Sequence, residues 1–134
     1  AKVAAFTSQK VNSLVKSPGE GKQVIVKNRA KIESVVKNAR ICQEVVREHG
    51  SLCKFLWSFV GGRPRENRRR RKKDIPVDTE EARIFSRELK KLGFGFVGPT
   101  VCYSFMQSVG MVNDHPISSP QWRRVHDVVV RRFG

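Results

Sequence analysis

LKKLGFGFVGPTVCYSFMQSVGMVNDH, residues Leu89 to His115, decides how the chain reads. Two helix-like segments flank a glycine-rich turn, Gly93-Phe94-Gly95-Phe96-Val97-Gly98, with Lys90 and Lys91 before it and Pro99 and Thr100 after it. Gly93, Gly95 and Gly98 permit positive φ and a close approach of the main chain to a ligand. Gly98-Pro99 then starts a helix whose first N–H groups find no partner within the helix and can face an anion. Lys90 and Lys91 add charge and Thr100 a hydroxyl. The spacing predicts a helix-hairpin-helix over residues 89–110 that grips a phosphate.

Upstream of this stretch the apolar residues recur at three and four. Val3 to Lys16 reads as a short helix with Thr7 or Ser8 as an internal cap, ending at the turn Ser17-Pro18-Gly19-Glu20-Gly21. A long helix is predicted from Gln23 to His49, with Ile32, Val35, Val36, Ala39, Cys42, Val45 and Val46 as its buried stripe and Gly50 at its C-terminal stop. Ser51 can cap a second helix carrying Leu52, Phe55, Leu56 and Phe59, and Trp57 in it reads as a core or rim aromatic ahead of a base-stacking one. Asp78 or Thr79 can cap the helix leading into the hairpin, whose inward residues are Ile84, Phe85, Leu89 and Leu92. After the hairpin, Val101, Cys102, Phe105, Met106 and Val109 face inward and Gly110 is the stop. A terminal helix over Gln121–Phe133 presents Trp122, Val125, Val129 and Phe133. No β-alternation or repeat appears, so the class is all-α in a single domain, 1–134.

Charge sets the partner. There are 27 Lys and Arg against 12 Asp and Glu, a net +15, which attracts polyanions and makes nucleic acid the leading partner. No run of 18 apolar residues offers a membrane span, so an intracellular place, nuclear or otherwise DNA-containing, is expected, with no membrane partner. The basic loop, residues 61–78, holds Arg63, Arg65 and then six consecutive cations, Arg68 to Lys73. This run would be self-repelling if packed and reads as solvated: a nuclear import signal, a nonspecific phosphate contact or a plain exposed loop. Cys42, Cys53 and Cys102 are odd in number and lie inside apolar patterns, reading as reduced core thiols. His49 and His126 read as surface or helix-end residues without partners. The chain opens at Ala1 with Val3-Ala4-Ala5-Phe6 already apolar, which reads as a start inside a domain.

Several runs share one order: Asn28-Arg29-x-Lys31-Ile32, Asn38-Ala39-Arg40, Phe55-Leu56-Trp57-Ser58-Phe59-Val60, Ile75-Pro76, Gly93-Phe94, Phe96-Val97-Gly98-Pro99-Thr100, Cys102-Tyr103-Ser104-Phe105-Met106-Gln107 and Gly110-Met111-Val112-Asn113-Asp114-His115. In this order they resemble the DNA-3-methyladenine glycosylase I family, over roughly residues 3–115 and apparently truncated at the amino terminus. The resemblance implies a helix-hairpin-helix glycosylase fold and a base-excision repair enzyme that hydrolyses the N-glycosidic bond of flipped 3-methyladenine in double-stranded DNA, acting as a monomer. It places Lys90, Lys91, Gly93, Gly95, Gly98 and Thr100 on DNA phosphate. Asp114 falls where the wider superfamily carries a carboxylate that stabilises an oxocarbenium-like sugar, and is the candidate catalytic residue; its alternative is a cap on the next turn. The family's base pocket, a Glu with several Tyr and Trp, belongs to a stretch preceding Ala1. The family also binds zinc through an early Cys and His, the His of the VNDH motif and a later Cys. His115 matches one of these ligands, Ser119 stands in place of the Cys, and residues 116–134 diverge from the family's end. The alternative function is a noncatalytic nucleic-acid-binding module or an inactive glycosylase fragment.

Overall fold

The computed structural model describes residues 1–16 and 25–134. The predicted turn Ser17–Gly21 and the predicted helix start at Gln23 lie outside them. Six α-helices are formed among these residues: α1 (Ser8–Lys16), α2 (Arg29–His49), α3 (Leu52–Ser58), α4 (Glu80–Lys91), α5 (Pro99–Ser108) and α6 (Pro120–Phe133). The class is all-α. The one sheet among the described residues pairs β1 (Arg65–Glu66) with β2 (Val112–Asn113) in parallel, Arg65 opposite Val112, and two residues per strand leave no alternation for a sequence to show. The chain forms two compact units, Ala1–Leu52 with Leu89–Phe96, and Cys53–Glu88 with Val97–Gly134.

In the first unit α2 starts later than its apolar period suggests. Asn28, in extended conformation, accepts the N–H of Lys31 on its side chain and so begins the helix at Arg29. Gly50 ends it at φ 76°, in the left-handed region that glycine enters without strain. Val11, Ile32 and Val36 form the core, with Phe6, Leu14 and Val15 against them. Farther along α2 the buried residues are Ile41 and Val45, while Val35 and Val46 are exposed. The buried face is thus 32, 36, 41 and 45, rotated from the predicted stripe. Thr7 caps α1, its hydroxyl accepting the Lys10 N–H at 3.3 Å.

In the second unit a row of aromatic rings runs through Phe85, the one fully buried ring of the four. Phe59 packs against Phe55 and Phe85 with centroids 5.3 and 4.8 Å away, and Phe85 lies 6.3 Å from Phe105. Such tilted and edge-on pairs suit the ring quadrupole. α4 runs from this unit into the first at Leu89; along it Ala82, Phe85, Ser86 and Leu89 are buried, a clean 3.6-residue stripe, while the predicted Ile84 and Leu92 are exposed. On α5 they are Cys102, Tyr103 and Met106, and the predicted Val101, Phe105 and Val109 are exposed. Gly110, at φ 79°, stops α5: its N–H donates to Gln107 and that of Met111 to Met106, which closes the last carbonyls in a Schellman pattern. α6 begins where Ser119 accepts the N–H of Trp122 at 3.2 Å and buries Val129; Phe133, predicted inward, is exposed.

Candidate nucleic-acid interface

The residues of the hairpin divide between the two units after Phe96. In the first unit, α4 ends in a Schellman motif: Gly93, at φ 89°, donates to Lys90 at 2.9 Å and Phe94 donates to Leu89 at 3.0 Å. Lys90 and Lys91, in the last turn, are exposed. Gly95 departs from the expected phosphate donor. Its N–H is taken by Asn38 Oδ1 at 2.8 Å, and its carbonyl accepts from Asn38 Nδ2 at 3.0 Å. A Cβ on it would meet Ser34 Cβ at 3.2 Å, so glycine serves here to let the turn lie on α2. The left-handed conformation expected at Gly95 falls on Phe96 instead, at φ 58° with its ring 55% exposed. Because Gly95 C=O points at Asn38, the N–H across the same trans peptide, that of Phe96, points the opposite way.

In the second unit Val97 and Gly98 lead into α5. Val97 C=O accepts from the Ser86 hydroxyl at 2.6 Å and the Cys102 thiol at 3.5 Å, which aims the Gly98 N–H away from those buried side chains. Gly98, at φ −64° and ψ 160°, is an ordinary N-cap without positive φ, and no side chain caps α5. Pro99 fills the first helical position, where a missing N–H costs nothing. Thr100 follows, exposed. An uncapped helix start with its positive dipole end and outward N–H groups is suited to an anion.

Just beyond α5 lies a buried carboxylate whose setting the sequence does not reveal. Asp114 is 6% exposed. Its Oδ1 accepts from Asn67 Nδ2 at 2.7 Å and Arg69 Nε at 3.2 Å; its Oδ2 accepts from Gln107 Nε2 at 3.1 Å and from the Tyr103 hydroxyl. Burial pushes the Asp114 carboxyl up, but the four donors, Tyr103 first, outweigh it and hold it below the usual carboxylate range. Burial, reinforced by the neighbouring carboxylate, pushes the Tyr103 phenol up to about 12. Burial works to lower the Arg69 guanidinium, and its bond to Asp114 outweighs that, so its pKa is raised. An ionised carboxylate with both oxygens committed to internal donors binds together the loop of 67–69, α5 and the VNDH segment. Nor does Asp114 cap the next helix; Ser119 does. Tyr103 and Gln107, one turn apart on α5, and Asn67 and Arg69, two apart just after β1, are same-face spacings, the one sequence signal that could have found this cluster.

Other expectations change as well. The cation run is not uniformly solvated: Arg69 turns inward to Asp114, and Arg71 pairs with Asp74 at 3.1 Å. His126 has partners, its Nδ1 lying 3.0 Å from both Glu66 oxygens and its ring stacked on Trp122 at 4.7 Å; Glu66 lies 60 residues away in sequence and is brought there by the strand pair. None of the three cysteines forms a disulfide; Cys102 is buried but Cys53 is exposed, outside any core. For zinc, His115 is exposed, Ser119 spends its hydroxyl on α6, and among the described residues no three His, Cys, Asp or Glu side chains gather as metal ligands. The donor set present does not fit the metal. Among the described residues no helix is long and apolar enough to cross a membrane.

The family model for methyladenine glycosylase matches residues 1–122. The chain belongs to this family. It is 39% identical over 116 residues to DNA-3-methyladenine glycosylase 1 of Escherichia coli (strain K12), covering 87% of this chain and 59% of that protein. To the DNA-3-methyladenine glycosylase of Haemophilus influenzae it is 36% identical over 114 residues, covering 85% of this chain and 59% of that one. In structure it is similar to 3-methyladenine DNA glycosylase I from Staphylococcus aureus, solved for the structural basis of its 3-methyladenine recognition, at a TM-score of 0.82 and 32% identity, over 90% of this chain and 61% of that one. The chain thus spans about three fifths of the length of the relatives it matches. The helix-hairpin-helix glycosylase fold expected from Leu89–His115 is the fold of the family. Arg123 to Gly134, most of α6, lies past the family match.

Proposed function

We propose that the chain acts as a DNA-3-methyladenine glycosylase of base excision repair, holding double-stranded DNA as a monomer and hydrolysing the N-glycosidic bond of an alkylated base. The family match over residues 1–122 carries this reading. Methylation at N3 leaves the adenine positively charged, so the base departs as neutral 3-methyladenine while water supplies oxygen to the sugar carbon and loses a proton to solvent. Such a leaving group needs little acid assistance, and the protein's task is to extrude and select the base. Extrusion needs a firm hold on the backbone. The Gly98 N–H, with the Thr100 N–H and hydroxyl, would contact phosphate, Lys90 and Lys91 would add charge, and Gly93 and Gly95, whose N–H groups are spent on Lys90 and Asn38, would shape the turn. Asp114, its oxygens occupied, would fix the segment behind α5 instead of facing the sugar.

The test is release of free 3-methyladenine from methylated duplex DNA by the 134-residue chain, together with its affinity for abasic-site and undamaged duplex. Release of the base with tighter binding to the abasic duplex is expected. No release, with equal affinity for the two duplexes, would leave a noncatalytic binding module in its place.

A further inference from the structure

The cations of the 61–78 loop and of α6 are used neither by the hairpin nor, Arg69 apart, by the Asp114 cluster. Asn67 and Arg69 both reach Asp114 Oδ1, so their side chains share one side of the segment. Arg68 and Arg70, which alternate with them, are exposed. The backbone here is braced. Arg65 and Asn67 donate to Met111 and Asn113 at 2.8 and 3.0 Å, and Arg69 C=O accepts from Ile117 at 2.8 Å. Next, the Arg71 side chain and N–H bind Asp74 and fix the single 3-10 turn of Lys72–Asp74, on which Lys72 and Lys73 are exposed. α6 starts against the same segment: Trp122 Nε1 donates to Asn67 C=O at 3.1 Å and His126 meets Glu66, and Arg123 and Arg124, which lie between the two in sequence but off the face they share, are both exposed. Among the described residues none of Arg68, Arg70, Lys72, Lys73, Arg123 or Arg124 forms an ion pair with a carboxylate; the loop's bridges are made by Arg65, Arg69 and Arg71.

Like charges fixed on a braced backbone repel one another, and a polyanion relieves that repulsion. We infer that Arg68, Arg70, Lys72 and Lys73, with Arg123 and Arg124 at the start of α6, form a second, sequence-independent contact surface for the phosphates of double-stranded DNA, additional to the hairpin. This inference rests on the DNA reading above. Nothing in it asks for a damaged base, since the surface would act equally on intact duplex and would hold the protein on DNA during a search for lesions.

The experiment follows the affinity of the chain for an undamaged duplex, by fluorescence anisotropy, across a series of salt concentrations. Each lost phosphate contact lowers the slope of log K against log salt by about 0.9, so R68Q/R70Q/K72Q/K73Q is expected to lower it by up to about 3.6 and R123Q/R124Q by up to about 1.8. Circular dichroism checks that the variants fold. A slope that drops by about one or more in each folded variant supports the surface; a smaller change in either overturns it. Base release is measured in parallel. Loss of slope without any release by the unaltered chain would refute the glycosylase reading alone, while unchanged slope with normal release would refute the surface alone.

Discussion

Replacing Tyr103 with Phe tests the carboxylate cluster at its most buried point. The ring is 1% exposed and would keep its packing, so the change removes one O–H donor and little else. A hydrogen bond to a charged group contributes about 1.5–3 kcal/mol, and the expected loss at pH 7 is about 2 kcal/mol. The pH dependence follows from two shifts of opposite sign. The Asp114 carboxyl is held below its ordinary range, so the stability it brings is present above its unfolded pKa and is lost as pH falls through the folded one. The Tyr103 phenol is raised to about 12, so its contribution is whole below its ordinary pKa of about 10 and fades between there and about 12. Tyr103→Phe lacks the phenol and has a weaker depression at Asp114. The gap between wild type and variant should therefore be widest between about pH 6 and 9 and shrink on both sides. Urea unfolding followed by circular dichroism at pH 3, 7 and 11 measures it. A gap below about 0.5 kcal/mol at pH 7, or one equal at all three pH values, would refute the reasoning.

Asp114→Asn keeps the shape but turns a four-bond acceptor into a group with an NH2 aimed at donors, and should cost about 3 kcal/mol or more in urea unfolding, exceeding Tyr103→Phe. Gly95→Ala places a methyl 3.2 Å from Ser34 Cβ on α2, where neither backbone can yield easily, and should destabilise by about 1–3 kcal/mol. Adding Ser34→Gly should recover part of that loss, less the roughly 1 kcal/mol that glycine costs within a helix; no recovery in thermal unfolding would count against the contact. Thr100→Asp should separate stability from binding: a carboxylate in the first turn of α5 raises helix stability by about 0.3–1 kcal/mol, while repulsion from phosphate should weaken duplex binding at low salt by at least about tenfold. Unchanged affinity would remove α5 from the DNA contact.

The helices were legible because their signals are local. Gly50, Gly93 and Gly110 each stop a helix with positive φ at the positions their neighbours indicate, and the order of runs from Asn28 to His115 carried the family. The buried faces were less legible. On α4, Ser86 is buried because its hydroxyl serves the Val97 carbonyl, a use that no apolar period marks, and Ile84 looked inward only because it is large and greasy. Within the hairpin the sequence put positive φ on three glycines. The chain instead gives one of those turns to Phe96 and uses Gly95 for a close approach to α2. The Asp114 cluster joins residues 45 and 47 apart in sequence, and one of its members sits in a run of six cations that reads as solvent-facing. Such a pair is fixed by tertiary placement; same-face spacing marks its members within each segment but does not join the segments.

The rungs that tie the 65–69 segment to 111–117, Arg65 to Met111, Asn67 to Asn113 and Ile117 to Arg69, have a kinetic meaning. Each rung alone is a single bond near the surface and would exchange its amide proton for solvent deuterium quickly. Since Asp114 clamps both segments to α5 from within, none can open without pulling the carboxylate from its donors. The three amides should then share one opening free energy and lose their protons together, as a cooperative unit instead of fraying one by one.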